Sequence, residues 1–83
     1  MMAGAIQNQF QSGEIVRGEF AGYFAVLGVR YLRDDGRRGY QLKTINPDNV
    51  TETGLEELWL AEEQLRSVPD EAIQDGKIIR DLL

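Results

Sequence analysis

Tyr23-Phe24-Ala25-Val26-Leu27-Gly28-Val29-Arg30-Tyr31-Leu32-Arg33 decides the fold. Its odd positions (Tyr23, Ala25, Leu27, Val29 and Tyr31) are all apolar or aromatic, and residues two apart share one face of a strand. The spacing predicts a long β-strand with that face turned inward. Its even positions begin apolar at Phe24 and Val26 and turn polar at Arg30, so the strand bends at Gly28 and is covered on both faces only at its start.

Downstream, Asp34-Asp35-Gly36-Arg37-Arg38-Gly39 is turn chemistry, with glycine for positive φ and aspartate to bond its own backbone. A hairpin with its loop at residues 34–37 would set Tyr31 against Tyr40, Val29 against Leu42 and Leu27 against Thr44, each a compatible cross-strand pair. Residues 40–45 are the returning strand, ended by Asn46-Pro47-Asp48-Asn49, and residues 51–54 read as a polar connection. Upstream, residues 14–20 form a first strand centred on Ile15-Val16. Residues 1–12, with scattered Ala3, Ala5, Ile6 and Phe10 among amides, read as a flexible N-terminal arm.

Residues 55–68 admit two readings. Leu55, Leu58, Trp59 and Leu65 fall on one side of a helix, but at about 100° per residue Glu62 lands inside that stripe and Leu60 opposite it. A short strand over 57–60, one helical turn over 61–64 and a last strand over 65–68 avoid burying Glu62 and are preferred. Trp59 then reads as core filling. In residues 69–83, Pro69-Asp70-Glu71 resembles a helix start, and Lys77 and Arg80 suit its end. Asp75-Gly76 is also a hairpin pair that could join Ala72-Ile73 to Ile78-Ile79. The helix is the preferred reading.

The fold expected is mainly β: about five strands with a short C-terminal helix. The strand from Gly13-Glu14-Ile15-Val16-Arg17, the long hairpin, and Leu58-Trp59-Leu60 followed by Glu62-Glu63-Gln64-Leu65-Arg66-Ser67-Val68 resemble the small SH3-like barrels of bacteria. That resemblance implies an SH3-like barrel over residues 13–68, a superfamily with ribosomal, transcription-factor, protein-binding and type II dihydrofolate reductase members. The reductases' Val-Gln-Ile-Tyr strand is replaced here by Glu57-Leu58-Trp59-Leu60, and no ALYDY-like motif for a polyproline groove is present. No catalytic residue is carried across.

At 83 residues the chain has room for one domain. It has no Cys and no His, which excludes disulfides, thiolate or imidazole metal sites, and Ser-His or Cys nucleophiles. No metal or cofactor is implied, and no apolar run approaches the roughly 20 residues that cross a bilayer. The first thirteen residues lack the basic and apolar regions of a secretory signal, so the expected location is cytoplasmic.

The net charge of −5 is unevenly divided. Residues 1–43 carry six bases and four acids; residues 44–83 carry ten acids and three bases. Glu52, Glu56, Glu57, Glu62 and Glu63 form an acidic rim suited to a partner protein. Ile78, Ile79, Leu82 and Leu83 make an apolar tail that needs cover from its own sheet or from a second copy, as in a homodimer. The function expected is a non-enzymatic binding or adaptor module. One alternative is a nucleic-acid-associated module using Arg30, Arg37, Arg38 and Lys43, disfavoured by the overall acidity. Another is a small enzyme whose site forms between subunits.

Overall fold

A computed structural model describes residues 9–32 and 38–83. Five antiparallel strands form one sheet: β1 (Ile15–Gly18), β2 (Tyr23–Leu32), β3 (Arg38–Asn46), β4 (Asn49–Ala61) and β5 (Leu65–Ser67). Their spatial order is β4-β3-β2-β1-β5. A second, two-stranded sheet pairs β6 (Ile73–Gln74) with β7 (Lys77–Ile78). Three-residue 3-10 turns occupy Glu62–Gln64, Asp70–Ala72 and Arg80–Leu82. The protein is therefore mainly β, and the expected hairpin tip at residues 34–37 lies outside the described residues.

The sheet is curled but not closed, in contrast to a complete barrel. β4 and β5 are its two edges, and a flat five-stranded sheet would separate them by about 19 Å. Only the turn Glu62–Gln64 joins them, and a 3-10 segment rises about 2 Å per residue. The sheet must therefore roll until its edges approach. β5 then pairs with β1, Gly18 opposite Leu65 and Val16 opposite Ser67, instead of sealing against β4. The turn was legible in advance: Gln64 folds back so that its Oε1 accepts the Ala61 N–H at 2.9 Å, and Glu62 stays out of the apolar interior.

The inward face of β2 is not the odd one expected. Phe24 and Val26 enter the main core with Phe10, Val16, Tyr40, Leu42 and Leu65, whereas Leu27 is 41% exposed. Tyr23 and Ala25 face the other side, where Ile45, Val68, Ala72 and Ile78 form a second cluster. Irregularities between Val26 and Gly28, and again between Val29 and Tyr31, insert extra residues into β2. An inserted residue reverses which face the following side chains take, which is how Val29 comes to pack against the main core. The same insertions shift the hairpin, so Phe24 pairs with Thr44, Val26 with Leu42 and Val29 with Tyr40. Both faces of β2 are covered before Gly28, as expected: Phe24 and Val26 by the main core, Tyr23 and Ala25 by the second cluster.

β4 is far longer than its expected final segment and takes in residues 51–54, which had read as a connection. The C-terminal segment holds a hairpin and single 3-10 turns instead of the expected helix. Asp75 (φ 52°) and Gly76 (φ 75°) both adopt left-handed backbone, the requirement of a tight two-residue turn. Ile73 then lies opposite Ile78, and Ile78 is buried. The Pro69-Asp70-Glu71 start signal is used up in one turn, because a longer helix would carry the two isoleucines away from Ile45. The hairpin is anchored to the β3–β4 turn by Val50 N–H to Gly76 O (2.7 Å) and Ile78 N–H to Pro47 O (2.8 Å).

Candidate protein-binding surface

Two neighbouring strand pairs give the sheet an inner and an outer face. Along β3 and β4, Leu42 opposes Leu58 and Tyr40 opposes Leu60, and these four contribute to or pack against the main core. The alternate pairs, Gln41 with Trp59 and Lys43 with Glu57, project from the outer face. Among the described residues the C-terminal hairpin covers that face around Ile15, Tyr23, Ala25, Ile45 and Val50. Trp59 is left 44% exposed, correcting the expectation that it fills the core. The alternation Leu58-Trp59-Leu60 carried this signal: with both leucines inside, the tryptophan between them faces out.

The acidic side chains expected to form a rim are not equivalent. Glu52, Glu56, Glu57 and Glu63 are exposed, and Glu62 is half-buried. Asn46 Nδ2 donates to Glu52 Oε1 at 3.5 Å, and Gln41 Nε2 donates to Glu57 Oε1 at 2.5 Å. Glu57 and Trp59 are two apart on one strand and share the outer face. Between Asn49 and Gln64 the chain has five glutamates and no Lys or Arg.

Glu62 belongs to a network within the fold. Tyr40 Oη donates to Glu62 Oε2 at 2.5 Å and accepts the backbone N–H groups of Gln9 (3.1 Å) and Phe10 (3.3 Å). The Arg38 guanidinium lies 3.7 Å from the same carboxylate oxygen. Burial pushes the Tyr40 phenol above its ordinary 10.0, the Glu62 hydrogen bond pushes it the same way, and the two amides oppose this. No local pattern announced the network, because residues 10, 38, 40 and 62 meet only through the fold. Phe10 was hidden in the same way. Read as part of an arm, it is 1% exposed, with its ring edge-on to Tyr40 at 5.4 Å.

Of the basic set considered for nucleic acid, Arg38 is buried beside Glu62, and Lys43 is half-buried opposite Glu57. Arg37 and the Arg30 side chain lie outside the described residues. Of the apolar tail, Ile78 is buried, Ile79 half-buried, and Leu82 and Leu83 are exposed. At the β1–β2 loop, Phe20 is 90% exposed. Among the described residues no cavity opens, and no group of three acidic side chains is placed to share a metal ion. No described helix is long and apolar enough to cross a membrane. Neither family models, curated proteins nor solved structures yield a match to the chain.

Proposed function

We propose that the protein is a small, non-enzymatic adaptor of SH3-like build that binds another protein through the outer face of β4. The SH3-like reading is supported by element order: a first strand, a long bent hairpin, a fourth strand, one 3-10 turn, and a short strand returning to the first. The observation that carries the binding role is Trp59, 44% exposed on a face whose neighbouring positions are Gln41 and Glu57. Removing an aromatic side chain of this size from water contributes about 2–3 kcal/mol. Tryptophan is accordingly enriched among the few residues that dominate interfaces. The exposed glutamates beside it supply the polar rim, and Leu82 and Leu83 offer a further apolar contact.

The test is capture from host extract by wild-type and Trp59→Ala protein, with the mass of the intact complex measured. A protein partner held by the wild type and weakened at least about tenfold by the substitution is expected. The variant's unfolding midpoint is measured alongside, and capture is compared at a temperature where both proteins are folded. Equal capture by both proteins contradicts the reading, as does a bound species that nuclease removes.

A further inference from the structure

Resting on that adaptor reading, we propose that the partner contributes a basic, extended segment that adds as a strand to the outer edge of β4 alongside Glu56-Glu57-Leu58-Trp59-Leu60. β4 ends the main sheet among the described residues; the Val50 N–H near its start is taken by Gly76 O and the Ala61 N–H at its end by Gln64 Oε1, so the template for another strand is its stretch between them. The hairpin bonds recorded near its start involve Val50 and Pro47, well away from residues 56–60.

Charge chooses the occupant. A second copy pairing edge to edge would set a strand with three glutamates and no Lys or Arg against itself, and like charges across strands are destabilising. A segment with Arg or Lys at alternate positions instead sets its cations on the face shared by Glu57 and Trp59. There a guanidinium can reach the Glu57 carboxylate, with Trp59 two residues away on the same face. The paired side chains fix which face of the added strand is basic, and the backbone supplies affinity that depends little on sequence.

Trp59 is the only tryptophan, so its fluorescence reports on the site in the intact chain. The probes are an alternating Arg-Val decapeptide, a Glu-Val decapeptide, an Arg-Val decapeptide N-methylated at alternate residues, and a short oligothymidylate. A saturable change in Trp59 emission is expected with the Arg-Val peptide, weakening as salt rises. No response to Glu-Val and a loss of about tenfold or more on N-methylation are expected, since methylation removes strand donors without altering charge. A Glu56→Gln, Glu57→Gln variant, checked for an unchanged far-ultraviolet spectrum, should bind about tenfold more weakly. Equal binding of Glu-Val overturns the choice of a basic partner, and equal binding of the methylated peptide overturns strand addition. Silence to every peptide, while Trp59-dependent capture of a protein persists, overturns this inference and leaves the adaptor reading standing. Binding of oligothymidylate in preference to the peptides overturns both.

Discussion

Phe10→Ala is expected to cost about 3–5 kcal/mol, the range for deleting a buried aromatic ring from a core that cannot collapse around the gap. A domain of this size has roughly 4–12 kcal/mol in all, so the variant should be barely folded or unfolded. Phe10 is enclosed with Val16, Phe24, Val26, Tyr40, Leu42 and Leu65. Its position is set by bonds on both sides: its own N–H and that of Gln9 reach Tyr40 Oη. The next residues extend the β1–β2 ladder, with Gly13 N–H on Val26 O (2.8 Å) and Val26 N–H on Glu14 O (2.9 Å). Urea unfolding measures the effect. Phe10→Leu, which keeps much of the volume, should lose under about 1.5 kcal/mol. A loss below about 1 kcal/mol for the alanine variant would mean that residues 9–14 are not docked.

Tyr40→Phe should cost about 2–3 kcal/mol at neutral pH, although it removes one oxygen. That oxygen is donor to Glu62 and acceptor for two backbone amides; without it the Phe10 N–H is buried with no partner, a penalty of about 1–3 kcal/mol by itself. Glu62 is only partly shielded and regains water, which limits the rest. The raised phenol also makes a pH prediction. Below pH 10 the group is protonated in both folded and unfolded chains and its contribution is complete. As pH rises past 10.0 the unfolded chain releases the proton first, so stability drains away from there up to the higher folded value. The stability difference between wild type and Tyr40→Phe should therefore shrink above pH 10, measured by urea unfolding across that range. A difference that stays constant or grows contradicts a Tyr40 phenol that keeps its proton longer in the folded chain.

Local periodicity made β2 and β3 legible and set Tyr40 and Leu42 inside, as observed, but misassigned the inward face of β2 and missed the first half of β4. The span of β2, the turn at Glu62–Gln64 and the start of β5 each follow from residues within a few positions. The inward face of β2 does not, because the irregularities near Gly28 and Val29 leave a clean odd-numbered alternation in the sequence while re-phasing the side chains in space. Residues 69–83 failed differently: Pro69-Asp70-Glu71 and Asp75-Gly76 are both valid local signals. The choice between them is made by distant Ile45 and Val50, which need Ile73 and Ile78 over them. The excess of glutamate over residues 52–63 was plain from composition, though not that Glu52 would lie on the same strand as Glu56 and Glu57. What composition lacked was the contact of half-buried Glu62 with Arg38 and Tyr40, and the outward turn of Trp59, which made an aromatic expected inside the anchor of the candidate surface.

The most direct measurement is a heteronuclear NMR titration of the full chain with the Arg-Val decapeptide, following every backbone amide. Shift changes are expected to concentrate on Glu56 to Leu60 of β4 and on Gln41 beside it, with altered hydrogen exchange along the same edge. Changes centred on Phe20, on Leu82 and Leu83, or absent throughout would contradict a binding surface built on β4.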